Sequence, residues 1–303
     1  MKVILNHTLK VLLSVALVFS VVNTSTAVTA QTECNSVCLN GFMDKFLNAL
    51  VTHKPANLPL SADVKYTENT IRINLGEELW NTVTEITPFK VYVPDSYSNQ
   101  IAFFGIIIED GSPKLLSVRL KIKNELISEI EAVVTRKGFG GSFPENMADR
   151  KVLPIWNEKL KPAEQVSRLA MIKAVDLYFE GIEQKTAAIV PFDESCNRIE
   201  NGMQTTNNTE IKSPDGKPHF LSLGCIEQFN TRPESIQYTI PERRYWLVDE
   251  ARGIVAGMFI FAVKGAHNAV PIAEFFKIKN GRIYEVEAIG VSDPLPYGAK
   301  SGW

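Results

Sequence analysis

The chain has 303 residues, 32 Lys+Arg against 34 Asp+Glu, a formal net charge of −2, 45% hydrophobic and 22% charged residues, and four Cys. That profile excludes a disordered chain and a collagen-like repeat, and the missing basic excess argues against a dedicated nucleic-acid binder. With 16 Phe, 8 Tyr and 4 Trp there is apolar material for one or two full cores.

Residues 1–30 carry Lys2 and Lys10, then an apolar run from Val11 to Val22, then small and polar residues up to Ala30. This is the layout of a secretory signal peptide, and the apolar run is too short to span a bilayer core of roughly 30 Å. Removing these 30 residues with their two lysines takes the chain from 303 to 273 residues and the charge from −2 to −4. The expected product is exported, periplasmic or secreted, with no membrane attachment after cleavage. All four Cys follow the cut, and an even count in an oxidising compartment favours disulfides. Three pairings are open; Cys34–Cys38 and Cys196–Cys225 are the most local. No metal site is expected, because there is no Cys-x-x-Cys and His53, His219 and His267 lack ligand spacing.

A first domain is expected over 31–136. Val37, Phe42, Phe46, Leu47 and Leu50 recur near helical spacing within 35–53, and a short helix or turn leads into Pro59. Strand-like runs follow at Phe89–Val93, Ile101–Glu109, Leu115–Lys123 and Leu126–Thr135, with Asp110-Gly111 as a hairpin signal. Residues 137–163, containing Gly-Phe-Gly-Gly, several Pro and Trp156, read as a linker packed on a domain. The second domain, 164–303, repeats the order. Its helical stretch at 164–184 carries Val166, Leu169, Ile172, Val175, Tyr178 and Ile182. Its strands are Arg244–Asp249, Ile254–Val263, Ile272–Ile278 and Arg282–Ile289, with a hairpin at Asn280-Gly281.

The repetition is visible in the residues. Leu120–Val134 resembles Phe276–Gly290 at an offset of 156, while Asp44, Phe46, Pro59, Glu68 and Asn69 match Asp176, Tyr178, Pro191, Glu200 and Asn201 at an offset of 132. The two offsets differ by 24, so the second copy carries an insertion of that size, expected at about 202–231. The expected fold class is α+β: two tandem cone-shaped domains, each with N-terminal helices packed on a curved antiparallel sheet.

A long helix, a short helix and a curved sheet ending in Ile-x-Glu-(Ile/Val)-Glu-Ala resembles the nuclear transport factor 2-like superfamily, which includes SnoaL-like cyclases, ketosteroid isomerase and scytalone dehydratase. Tyr66-Thr-Glu-Asn69, Leu75-Gly-Glu-Glu-Leu-Trp80, Cys196-Asn-Arg-Ile-Glu-Asn-Gly202 and Val248-Asp-Glu-Ala-Arg-Gly253 look like an uncharacterised exported bacterial and fungal family within it. The resemblance covers nearly the whole mature chain as two copies. It implies a conical pocket between helix and sheet, an active site or ligand cavity. The catalytic patterns of the characterised relatives do not carry over, since no motif fixes a His or an acid in their roles.

The candidate catalytic residues are Tyr66 with Glu68 in the first domain and Arg198 with Glu200 in the second. Glu68-Asn69 and Glu200-Asn201 recur at what reads as a helix–strand junction. Each carboxylate and amide there is a candidate general base and orienting group. Equally, Asn tolerates the left-handed conformation and Glu can satisfy backbone donors, a structural role shared by both copies. Asn69, Trp80, Asn201 and Arg244 are candidate ligand-binding residues; Arg244 suits an anion, or else pairs with Asp249 and Glu250. Glu129/Glu131 and Glu285/Glu287 each share a strand face. On the concave side one acid would be desolvated and its pKa raised; on the solvent side, which the flanking lysines favour, they are ordinary charges near Arg119, Lys121 or Lys277. His219 would contribute only if the insertion closes over the second pocket.

No Gly-x-Gly-x-x-Gly, Walker, Gly-x-Ser-x-Gly or zinc-protease motif is present, so no cofactor is expected. The expectation is an exported pocket protein for a small organic molecule. Its most favoured activity is that of a cofactor-independent lyase, isomerase or hydratase; the alternative is a non-catalytic ligand-binding or scaffold module. Oligomeric state is left open.

Overall fold

Asn35 opens the first helix, its side chain accepting a hydrogen bond from the Cys38 N–H at 3.0 Å. The computed structural model describes residues 34–291, 295–296, 298 and 300–303; the expected signal segment, 1–30, lies outside the described residues. Helix α1 (Ser36–Val51) turns Leu39, Phe42, Met43, Phe46, Leu47 and Leu50 inward. Helix α3 (Arg168–Gln184), capped by Ser167, buries Met171, Val175, Tyr178, Phe179 and Ile182 in the same way. Val37 and Leu169, read as part of the apolar stripes, are instead exposed at the first turn of their helices. Among the described residues no helix is long and apolar enough to cross a membrane.

After α1 the chain forms β1 (Leu60–Glu68), β2 (Ile71–Arg72), a one-turn helix α2 (Leu79–Thr82), β3 (Val83–Asp95), β4 (Gln100–Glu109), β5 (Ser112–Lys123) and β6 (Leu126–Thr135). After α3 come β7 (Phe192–Glu200), β8 (Met203–Gln204), α4 (Cys225–Asn230), β9 (Tyr238–Asp249), β10 (Ile254–Val263), β11 (Asn268–Lys279), β12 (Arg282–Gly290) and β13 (Leu295–Pro296). The sheets share one order, β2-β1-β6-β5-β4-β3 and β8-β7-β12-β11-β10-β9, with β13 added to β11. The protein is thus α+β, two similar bodies each with a helix on a curved sheet. The sheets are mixed, not antiparallel throughout, because β1 and β7 pair in parallel with β6 and β12.

Both sequence offsets reappear as strand register: Tyr66 faces Ile130 and Glu68 faces Ala132, while Arg198 faces Val286 and Glu200 faces Ala288. The hairpins turn where expected, with positive φ at Asp110 (49°) and Gly111 (70°) and at Asn280 (52°) and Gly281 (72°). In the first body the place of Gly281 is held by Glu125, at φ 60°. A side chain in the left-handed region costs about 1 kcal/mol, so Glu125→Gly should stabilise the protein by about that amount in urea denaturation.

The outer faces of the two sheets pack on each other. Phe89, Phe104, Ile106 and Val133 of one meet Trp246, Met258, Phe275 and Ile289 of the other, with Trp156 and Met147 of the connecting segment buried between them. The rings of Phe104 and Phe275 lie 4.6 Å apart and those of Phe104 and Trp156 5.2 Å. Each helix covers the opposite, concave face of its own sheet, so any cone pocket lies away from this seam.

Candidate functional site

In the second body the concave side holds a cavity of about 640 Å³, bounded by α3, the ends of β7 and β12, β11 and the insertion after β8. The insertion reaches over the cavity with Phe220, Leu221, Gln228 and Arg232. A disulfide, Cys196–Cys225, fastens the start of α4 to β7 and so fixes this wall. The second disulfide, Cys34–Cys38, spans the start of α1. Both are the local pairs, and two disulfides fit a compartment outside the reducing cytoplasm.

β7 presents Arg198 and Glu200 on one face, two residues apart, and the two side chains form an ion pair. Arg198 also donates through Nη1 to Gln228 Oε1 at 2.9 Å. Gln228 is held in turn by donating to the carbonyl oxygens of Thr205 and Phe220. The expected partners Arg198 and Glu200 are therefore together at a cavity wall, with Asn201 beside them.

Glu274 of β11 also lines this cavity. It is 2% exposed, and its Oε2 has no hydrogen-bond partner. Burial pushes its carboxyl up to about 8, against the opposing pull of Arg198, with Glu200 adding to the rise. Burial therefore favours the neutral acid over the carboxylate at Glu274. Tyr178 of α3, fully buried beside it, is pushed well above the usual tyrosine value by burial. Arg232 stacks on Phe229 at 4.8 Å and on Tyr238 at 5.2 Å. Its Nε is buried without a partner, as is that of Arg198. Among the described residues no cluster of His, Cys, Asp or Glu could hold a metal ion.

Glu274, Arg232 and Gln228 were not among the sequence candidates. Glu274 had a signal: at the offset of 156 it stands where the first copy has Val118, an acid in place of an aliphatic residue on an inward strand face. Gln228 lies within the expected insertion and Arg232 directly follows it, where no offset links the two copies.

The first body places its candidates differently. Tyr66 donates to Glu68 Oε2 at 3.3 Å, and that oxygen also accepts from the Leu79 N–H at 3.2 Å, while Oε1 meets Arg136 at 3.1 Å. Burial raises Glu68 above the usual carboxylate range, with Arg136 pulling the other way. Trp80, expected as a ligand contact, is buried edge-on against Phe46 at 5.5 Å within a core that includes Tyr66, Leu79, Phe103 and Val118. This Tyr–Glu pair exists but faces packed side chains, and Glu68 secures the backbone of α2.

Asn69 and Asn201 prove to be matching strand clamps. They end β1 and β7 at φ 49° and 46°, so the expected helix–strand junction is a strand-to-strand turn. Asn69 exchanges two side-chain hydrogen bonds with Val134 of β6, and Asn201 exchanges two with Gly290 at the end of β12. Asn201→Ala should cost about 2–3 kcal/mol in denaturant unfolding, from the lost bonds and the unsuited left-handed backbone.

Arg244 does not line the second cavity, and it pairs with neither Asp249 nor Glu250. It crosses the seam to ion-pair with Glu131 and also contacts Glu242, while Asp249 pairs with Arg252. Glu129 is half-buried and pairs with Arg119 and Lys121, near the residues expected, but the other acids do not face solvent. Glu131 and Glu287 are 0% exposed, sealed between the sheets by Arg119, Arg244 and Arg150. His219 caps the turn at Phe220–Ser222, its Nδ1 accepting from the Leu221 N–H at 3.1 Å, so the insertion meets the cavity through its neighbours. A second cleft of about 680 Å³ is lined by Tyr92, Asp95 and Arg252, where Asp95 pairs with Arg168 and Asp249 with Arg252.

An α+β cone with a polar group cluster at the end of an otherwise apolar cavity is the class of protein defined by this fold and site. Residues 164–290 match a family model described as "Domain of unknown function (DUF8021)". Among solved structures the chain is similar to a protein of unknown function with cystatin-like fold from Methylobium petroleophilum PM1, at 18% identity and TM-score 0.31, covering 45% of this chain and 84% of that one. It is also similar to a putative ketosteroid isomerase from Kribbella flavida DSM 17836, at 11% identity and TM-score 0.29, covering 43% and 84%. A third is an NTF2-like protein of unknown function from Shewanella baltica OS155, at 10% identity and TM-score 0.24, covering 41% and 97%. Among curated proteins none matches the chain.

Proposed function

We propose that this is an exported protein of two duplicated cone domains, 31–136 and 164–303, joined by the segment 137–163. In this reading the second domain binds a small, partly apolar organic molecule and performs cofactor-independent proton transfer on it. The observation that carries the reading is Glu274: a buried carboxyl at a cavity of about 640 Å³ with one oxygen left without a partner. A neutral buried acid can give a proton to one ligand atom and, as the carboxylate, take one from another. Lyase, isomerase and hydratase reactions all need that exchange and nothing redox. Arg198, held by Glu200 and Gln228, steadies the conjugate carboxylate, and Tyr178 sits beside it.

The non-catalytic reading fits the first domain, where Val118 replaces the acid and Trp80 and Phe46 occupy the core. Its role is then to back the second sheet. The test is a thermal-shift screen followed by NMR detection of deuterium uptake into each bound compound in D2O. A saturating ligand at a hundredfold excess over Kd should add about 2.7 kcal/mol of stability. Exchange should vanish in Glu274→Gln and persist in Glu68→Gln. Exchange that survives Glu274→Gln defeats the proposal.

A further inference from the structure

We infer that the second cavity takes a small organic monoanion, a carboxylate on an apolar body, whose charged end docks on Arg232 beside the unpartnered edge of Arg198. The inference rests on reading that cavity as the functional site. Two guanidinium groups line the cavity, and only one of them is paired: Arg198 with Glu200. Glu274 ion-pairs with neither among the described residues, and burial raises its carboxyl, which favours the neutral form.

Arg232 has no ion pair among the described residues, and its contacts are the faces of Phe229 and Tyr238. Burial, with the like charge on Arg198 second, holds Arg232 below the ordinary arginine value. Arginine nevertheless stays protonated in proteins, so the cavity wall holds one uncompensated, half-buried positive charge. Two buried Nε–H donors, on Arg198 and Arg232, also lack acceptors. An anion with two oxygens answers both deficits, and planar guanidinium matches the carboxylate geometry.

The remaining chemistry follows from the walls. A cation would face Arg232 directly, and a neutral ligand would leave it unpaired. A phosphate monoester, with about −1.5 to −2 charge at pH 7, would overshoot a single net positive charge. Away from the arginines the lining is Ile182, Phe261, Val270 and Ile272, so the body of the ligand is apolar. A volume of about 640 Å³ accommodates a molecule of metabolite size.

The probes are octanoate, octanamide and octylamine, matched in chain length, titrated calorimetrically into the purified protein at pH 6.5. Octanoate should bind at least about tenfold more tightly than octanamide, as expected for a charged hydrogen-bonded pair, and octylamine should not bind. Arg232→Gln should erase the preference for octanoate while leaving octanamide within about twofold, and Arg232→Lys should keep part of it. Because Arg232→Gln removes an unpaired charge, it should also raise the melting temperature of the unligated protein, which shows that the variant is folded. Octanamide binding as tightly as octanoate overturns the inference and leaves the cavity reading standing. If neither binds, both fall together. A preference for octanoate that survives in Arg232→Gln overturns the assignment to Arg232.

Discussion

Arg150→Ala should destabilise the protein by about 3–5 kcal/mol, the cost of breaking a buried ion pair and leaving one partner uncompensated. Arg150 donates through both Nη atoms to Glu287, at 2.7 and 2.6 Å, and its guanidinium lies 4.3 Å from the Phe89 ring centre. Glu287 is sealed between the two sheets and has no water to replace the lost donors. Glu285, two residues before it on the same face, makes matters worse. Its Oε1 has no partner, and burial, with the Glu287 charge second, pushes its carboxyl up to about 8. Without Arg150 two buried acids would share one low-dielectric seam. Glu287→Gln in the Arg150→Ala background should recover part of the deficit, because it removes the uncompensated charge. Urea unfolding of the four proteins of that cycle measures the effect. A loss below 1 kcal/mol would mean that the seam is wet or open.

Stability of the unmodified protein should fall as pH rises from about 5 to 8, by up to a few kcal/mol for each of Glu274 and Glu285. Both carboxyls are raised from 4.5 to about 8 by burial. Below 4.5 folded and unfolded chains are both protonated at these groups, and the contribution is fully present. Between 4.5 and 8 the unfolded chain releases protons that the native state keeps, so the equilibrium shifts toward unfolding. Above 8 the native state ionises too and the slope ends. Carboxylates held low in the fold, such as Glu109 and Glu129, act oppositely and lose their contribution as pH falls through the acid range. Maximum stability is therefore expected near pH 5–6, and Glu274→Gln with Glu285→Gln should flatten the alkaline limb. Denaturant midpoints taken at unit pH intervals from 4 to 9 provide the check.

The helices and hairpins were readable in the sequence because each depends on local chemistry: the apolar spacing around Phe46 and Tyr178, and the Asp-Gly and Asn-Gly turns. Strands β1 and β7 escaped because Asp63, Lys65, Asp193 and Glu194 interrupt any alternation, and pairing with a distant parallel strand is not a local property. The same limit explains Glu131 and Glu287. Lysines nearby in sequence suggested solvent, but the partners that allow burial, Arg244 and Arg150, come from elsewhere in the chain. The site was half visible. Arg198 and Glu200 stood out as a strand pair, and Glu274 could have been found by comparing the two copies position by position. Arg232 follows the segment that the Cys196–Cys225 link ties to β7, a placement no local sequence pattern announces.

Proton transfer in the second cavity depends on the protonation of Glu274. Infrared difference spectra of the wild type against Glu274→Gln, recorded from pH 5 to 9, isolate that one carboxyl from Glu285. A protonated carboxyl band that persists through neutrality and disappears around pH 8 is the predicted result. A band that disappears near pH 4.5 would show an ordinary solvated acid and contradict the assignment of this cavity as the site of proton transfer.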